Sequence, residues 1–546
     1  MESMIKIIKS QPLKIWLIFL LLTLIAYYKI INNFFLADDW HWLSIAKNMD
    51  WSWNIWLTNY EGTKFGGSYS PLLVIIYKIL WPIFGLKYYL WHLLTIILHA
   101  SNGFLVYLLA KRIFSLVKLE HVRKWAILTG VLFLFWPIHT ETIAWLAAWP
   151  HPWTLLFYLL SLIFYFNFRQ TNSKVYLWLS LGFFAITLLI KEIAISLPFI
   201  ILLWEIYFAK QKKQKLFTFL YYFPILILGL ILRYYAIGIL FGYYGQSNLQ
   251  FALHKYIGNL AGFLNDLITA GYLRTVFYKV WYYYPWPLAV ITILVLAVYL
   301  FILFRKKLWF QMVLFASFLL VIAPVLPLCM HRITLGGERY LYFASVFFVI
   351  WLVWLLAIVR WNYKLKLILL LGFLFFSLSV IYAKSDIYKE AGILSRQIVA
   401  SYGDLGLEKD QLLISVALPD NLAGAELFRN NLQQALEFYY PDSSPQILPL
   451  PVYTQLNLAN KNSRLLNWRE YEPGWLAESA DGSYVVTGQT SITYNNFYFE
   501  LWNYNYQNYT SNIIRLIPRG DLGNFKILIF DQGILKILSA KGEVSE

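Results

Sequence analysis

Long apolar runs fill the first 383 residues of the chain, and they recur at the spacing of membrane-crossing helices. A helix needs about 20 apolar residues to cross the hydrocarbon core. Eleven spans are predicted: 13–31, 88–110, 125–138, 152–168, 175–190, 194–209, 216–240, 285–304, 308–328, 341–359 and 365–383. The shorter ones must extend into their flanking residues. The stretch 71–86 is apolar too, but it carries Lys78, Pro82 and Gly85 and reads as a helix lying in the interface. Residues 241–284, rich in Tyr, Trp and Gly, read as a long outer loop at headgroup level. No repeat of 20–50 residues is present, which argues against a solenoid.

The pattern changes after residue 383. Gln411 to Ala417 reads as a strand, Pro419-Asp420-Asn421 as a turn, and Gly424 to Tyr439 as a helix with apolar residues at helical spacing. Tyr484 to Tyr506 and Lys526 to Leu538 read as β segments, with Asp531-Gln532-Gly533 a hairpin turn. The predicted fold is an all-α polytopic membrane domain over 1–383, followed by a small α+β domain over 384–546. The second domain contains neither a His/Cys cluster nor a phosphate-cradling glycine loop, so no chemistry of its own is read there.

Composition agrees with that division. Of 546 residues 60% are hydrophobic and only 14% charged, where a soluble domain carries about 25% charged residues. The net charge of +16 invites a nucleic-acid partner, but its placement argues against one. Residues 1–383 hold 32 Lys and Arg against 11 Asp and Glu, whereas 384–546 hold 13 against 18. The basic residues gather in alternate short loops: Lys111 to Lys124, Arg169 and Lys174, Lys210 to Lys215, Arg305 to Lys307, and Arg360 to Lys366. Short basic loops stay in the cytoplasm. That rule sets the N-terminus inside and, with eleven spans, the C-terminal domain outside. The first span is read as retained, because no small-residue cleavage site follows it. One cysteine, Cys329, excludes an internal disulfide and a Cys-based metal site.

The ionisable residues on the outer side supply the candidate chemistry. Charge at membrane depth costs about 2.5–3.5 kcal/mol on insertion scales, so such residues are functional candidates by default. Asp38-Asp39 follow the first span, His139 and Glu141 the third, and His151 precedes the fourth. Lys191-Glu192 lie between the fifth and sixth, Arg233 within the seventh, and His331, Arg332, Glu338 and Arg339 between the ninth and tenth. Each has a plainer reading: Asp38 as a helix N-cap, Lys191-Glu192 as a polar turn, His139 as an interfacial hydrogen bonder, Glu338-Arg339 as a local ion pair, and Arg233 as a snorkelling cation. Their shared side favours one site.

Transfer of a sugar from a lipid phosphate suits these residue types. The phosphate leaves without a general acid, but needs cations where its charge accumulates. The acceptor hydroxyl needs a carboxylate base. Asp38 or Asp39 would be that base, with Asp38 preferred, and Arg339 and Lys191 would hold the phosphate. A divalent metal could be held by His139, Glu141 and His151, but without a fixed ligand spacing the signal is weak and no metal site is assigned.

The order of these residues resembles a known family. Ala37-Asp38-Asp39-Trp40, Tyr69-Ser70-Pro71-Leu72, His99-Ala100-Ser101-Asn102, Pro137-Ile138-His139-Thr140-Glu141, Lys191-Glu192 and Gly337-Glu338-Arg339-Tyr340-Leu341-Tyr342 occur in turn. Over about residues 1–390 the chain is similar to the integral-membrane GT-C glycosyltransferases. Within them it is most similar to the tetratricopeptide-bearing transmembrane O-mannosyltransferases and their bacterial relatives. The resemblance implies a polyprenyl- or dolichyl-phosphate sugar donor, an inverting transfer, the acidic pair at Asp38 and Asp39, and the glutamate-arginine motif at Glu338 and Arg339. It departs at Ala148-Trp149-Pro150-His151, where the family has glycine-arginine, and in lacking the repeats. The expected acceptor is a hydroxyl on protein, glycan or lipid. The expected site is a prokaryotic plasma membrane, with the endoplasmic reticulum as the alternative. Two other classes compete: a transporter or flippase of lipid-linked sugars, which should show mid-span polar residues and inverted repeats, and a non-catalytic scaffold.

Overall fold

The structure is a computed structural model. It describes residues 11–212, 217–240, 253–328, 336–407, 412–450, 452–464, 466–479, 485–486, 491–494, 497–503, 510–518 and 525–538. The chain divides into two compact units. One comprises residues 1–31, 45–332 and 337–384; the other comprises 32–44, 333–336 and 385–546. The acidic strip after the first span therefore groups with the C-terminal residues, although the sequence pattern places it in the membrane domain.

The first unit is helical, and the chain is a multi-pass membrane protein. Seven helices among the described residues are long and apolar enough to cross a membrane: Gln11–Ile30, Tyr88–Leu116, Leu146–Thr171, Glu192–Ala209, Thr218–Ile237, Pro285–Arg305 and Tyr363–Leu405. An eighth is added if Val122–Leu134 and Pro137–Ala144, bent by 46°, form one span. The bend has a local cause: Pro137 brings no N–H, and Trp136 before it is extended at φ −75°, ψ 116°. Shorter apolar helices occupy Pro71–Phe84, Lys174–Leu188, Trp309–Val325 and Ala344–Ile358. Most large apolar side chains of Pro285–Arg305 are exposed, a surface suited to hydrocarbon.

Two sequence expectations change here. The presumed outer loop before residue 285 contains two helices, Leu253–Thr269 and Arg274–Tyr283, joined through Gly271 at φ +83°. The run of Tyr and Trp hid the spacing of Leu260, Phe263 and Leu267, of which Phe263 and Leu267 are buried. The last helix extends well beyond residue 383, as Tyr363–Ser401. Its second half buries Ser385, Tyr388, Ala391, Leu394 and Ile398, an amphipathic stripe that keeps it helical after the apolar run ends.

The described residues of the second unit form three sheets. In the first, Leu412–Val416 pairs in parallel with both Phe525–Asp531 and Gln446–Pro449. The hairpin to Ile534–Leu538 turns at Gln532 and Gly533, both at positive φ, the geometry a two-residue turn requires. The second sheet runs through Leu418–Leu422, Tyr453–Leu456 and Val485–Val486, and the third is an antiparallel arrangement of five strands. Pro419-Asp420-Asn421 is thus strand, not turn. The break falls one step earlier at Ala417, φ +58°, and Pro419 is accommodated at a register irregularity. The expected helix from Gly424 is confined to Leu432–Tyr439.

Candidate active site

In the second unit the acidic pair opens the helix Asp38–Asn48, with both carboxylates in its first turn, where unsatisfied backbone N–H groups favour negative charge. The two acids are not equivalent. Asp39 is 1% exposed, and its Oδ2 accepts the N–H of Leu36 at 2.9 Å. It closes the loop that leads into the helix by reaching back to a backbone N–H ahead of it, unlike the N-cap bond suggested for Asp38, which would reach forward into the helix. Asp38 is half-buried, and its Oδ1 accepts the side-chain amide of Asn431 at 2.8 Å. Asp38 is therefore the acid more open to a ligand.

In the first unit Glu141 organises the segment that carries Arg339. Its carboxylate accepts the N–H of Gly337 at 3.0 Å and that of Arg339 at 3.1 Å, and it pairs with the Arg339 guanidinium. That guanidinium lies over Trp145 at 4.9 Å and over Tyr340 at 4.8 Å, so its plane is held by rings as well as charge. The His151 ring lies 5.9 Å from that of Tyr340. Lys191 lies within electrostatic reach of Glu192, Arg339, Arg233 and His151. Burial first, and then the two guanidinium groups, hold the Lys191 ammonium below its usual range despite the opposing pull of Glu192. Arg233 is buried, 3.6 Å from Glu192, and donates through Nε to the carbonyl of Leu240 at 3.2 Å.

Six of the sequence candidates thus share one charged cluster: Glu141, His151, Lys191, Glu192, Arg233 and Arg339. Two permanent cations, Arg233 and Arg339, gather there with Lys191 and two carboxylates. Such a site can hold an anion with planar, fixed donors.

Two candidates go elsewhere. His139 is completely buried, with Nε2 2.9 Å from Ser345 Oγ and its ring packed on Phe133, Tyr342 and His99. Glu338 faces away from Arg339. Its Oε1 accepts Arg274 Nη2 at 2.8 Å and Lys384 Nζ at 2.6 Å. Arg274 Nε donates to Asp266 Oδ2 at 2.8 Å, and Lys384 also donates to the carbonyl of Ala270 at 2.9 Å. Burial alone would lower the Arg274 pKa, but Glu338 and Asp266 hold it above its ordinary value. The sequence reading overlooked Asp266, Arg274 and Lys384. The signal was an acid and a base eight residues apart, Asp266 and Arg274, with no other charge between them. His331, Arg332 and Cys329 lie outside the described residues. Among the described residues no group of three or more His, Cys, Asp or Glu side chains is placed to hold a metal ion.

Fold and cluster together define a class: a multi-pass membrane protein with a cluster of cations and carboxylates in its helical unit. Comparison with known proteins narrows that class. No family model matches the chain. It is similar to the human protein O-mannosyl-transferase TMTC1, 28% identical over 159 residues, which is 27% of this chain and 17% of that protein. It is also similar to protein O-mannosyl-transferase tmtc2 of Xenopus laevis, 27% identical over 172 residues, or 30% of this chain and 20% of that protein. Mouse TMTC1 is 27% identical over 160 residues. The similarity spans a fifth or less of the length of these relatives, and it supports a relationship to TMTC-like membrane glycosyltransferases.

Proposed function

We propose that this protein is a GT-C-type membrane glycosyltransferase that moves a sugar, mannose by analogy with its relatives, from a polyprenyl-phosphate donor to an extracytoplasmic hydroxyl. The observation that carries the reading is the Arg339 cluster, in which two guanidinium groups and Lys191 gather with two carboxylates. In the reaction the bond between sugar C1 and the phosphate oxygen breaks, and its electron pair leaves with the phosphate. The acceptor oxygen bonds to C1 from the opposite face, inverting it, and the hydroxyl proton passes to Asp38. Arg339 and Lys191 stabilise the departing phosphate, where preorganised charge counts most. Arg233 and Glu192 keep that charge in register, and Asp39 shapes the loop bearing the base.

The seven long helices, the bent pair and the three shorter helices Lys174–Leu188, Trp309–Val325 and Ala344–Ile358 are consistent with eleven spans. With the N-terminus in the cytoplasm, the catalytic residues and a domain from about residue 384 would lie outside. A prokaryotic plasma membrane is the proposed location, and the acceptor is protein, glycan or lipid.

The test uses membranes containing the full chain, charged in turn with radiolabelled polyprenyl-phosphate mannose, glucose and galactose. Release of free lipid phosphate by the parent and none by the Asp38→Asn/Asp39→Asn double variant is expected. A double variant as active as the parent would sink the proposal.

A further inference from the structure

Asn431 initiates the helix Leu432–Tyr439 at φ +69°, ψ 17°, a left-handed conformation that asparagine and glycine tolerate. Its side chain does not cap its own helix; it donates instead to Asp38 Oδ1 at 2.8 Å, across 393 residues of sequence. The strip that bears Asp38 is fastened to the same elements. The Trp40 ring packs 5.9 Å from both Phe438 and Tyr439, and Phe34 packs 6.1 Å from Tyr439. Ser395 Oγ donates to the carbonyl of Phe35 at 2.8 Å. Gly392 lies so close that a Cβ there would stand 2.9 Å from the backbone nitrogen of Phe34. Strip and C-terminal residues form one compact unit.

We propose that Asn431 is a positioning residue for the transfer reaction, and that the C-terminal domain thereby sets the orientation of the catalytic carboxylate. This rests on the reading of Asp38 as the base. An amide N–H on one oxygen selects one rotamer of the carboxylate, and the aromatic clasp fixes the backbone beneath it. A base must sit within hydrogen-bond reach of the proton it takes, and misplacement by about 1 Å can cost on the order of 10²-fold in rate.

The experiment compares Asn431→Gly, Asn431→Asp and Asp38→Asn in membranes containing the full chain, with radiolabelled polyprenyl-phosphate mannose, and follows thermal melting of the purified proteins. Glycine suits the positive φ, so Asn431→Gly should melt near the parent. Its kcat should fall about tenfold to a hundredfold at unchanged KM for the donor, a split that a merely structural residue would not produce. Asn431→Asp keeps the shape but sets a second carboxylate against Asp38, and should lose at least as much. Parental kcat in Asn431→Gly beside an inactive Asp38→Asn overturns the inference and leaves the transferase reading standing. Parental activity in Asp38→Asn removes both. If Asn431→Gly melts early, Asn431→Asp decides: normal melting with lost kcat supports the proposal, and normal melting with parental kcat overturns it.

Discussion

Glu338 and Arg339 are neighbours on one short turn, Glu338–Leu341, yet they belong to networks of different character. Glu338 joins Arg274, Asp266 and Lys384, two acids against two bases, and Arg274 at its centre is 3% exposed. Arg339 joins Glu141, Lys191, Glu192 and Arg233, where cations outnumber acids, and its side chain is 21% exposed. The difference lies in the central guanidinium and not in the networks as wholes, since Lys384 at the edge of the first is as exposed as Arg339, while Glu141, Arg233 and Glu192 of the second are largely buried. Arg274 is enclosed between two carboxylates and braces helices; Arg339 keeps an open face, and under the proposed function that face receives the phosphate.

Breaking the brace should give the largest effect. Removing one partner of a buried pair leaves an uncompensated charge and costs about 3–5 kcal/mol. Arg274→Ala should therefore unfold the protein at markedly lower temperature, read by thermal melting in detergent. If it melts like the parent, the network is not a brace and the contrast with Arg339 fails.

The binding side should respond in the opposite manner. Arg339→Gln removes a fixed donor where charge develops, which costs about 10²–10³ in kcat by analogy with oxyanion donors, with a smaller change in melting than Arg274→Ala, because Glu141 keeps the N–H bonds of Gly337 and of residue 339. Lost stability with intact turnover would reverse the assignment of the two networks. A smaller effect should follow from Gly271→Ala. A Cβ there would stand 2.8 Å from Glu338 Oε1 and 3.1 Å from Arg274 Nη2, at φ +83°, so clash and backbone strain together should cost about 1–3 kcal/mol. Melting should drop while donor KM stays constant, because the substitution touches only the brace.

How much of this was legible in the sequence depends on the range of the forces involved. Span positions are written in runs of apolar residues, and the candidate site in charges near the ends of those runs, so Glu141, His151, Lys191, Glu192, Arg233 and Arg339 were all in view before any geometry. Direction was not in view. Nothing in Gly337-Glu338-Arg339 says that adjacent side chains diverge, since that depends on Arg274 and Lys384 arriving from distant helices. His139 has the same composition signal as His151, yet the turn at Pro137 drives it among aromatic rings. Asp38 and Asp39 read alike until Leu36 and Asn431 distinguish them. Local pattern misled where a longer constraint won: Pro419 at a strand irregularity, and the helix Leu253–Thr269 beneath a surface of aromatics.

The finest probe of the comparison is pH, through Lys191. Its ammonium is held below the usual lysine range by burial and by Arg339 and Arg233, with Glu192 opposing and His151 alongside. The neutral form is thus reached more easily in the folded protein than in the unfolded chain, which binds the proton more tightly. Between the two pKa values stability rises with pH, while the positive charge available to a phosphate is lost. Donor KM should therefore climb on the alkaline side at a lower pH than an ordinary lysine would give, with no loss of melting temperature from this group. Lys191→Arg stays charged throughout that range, so its donor KM should remain flat where the parent's rises. Parallel pH profiles for the two proteins would remove Lys191 from the phosphate site and leave Arg339 and Arg233 as its cations.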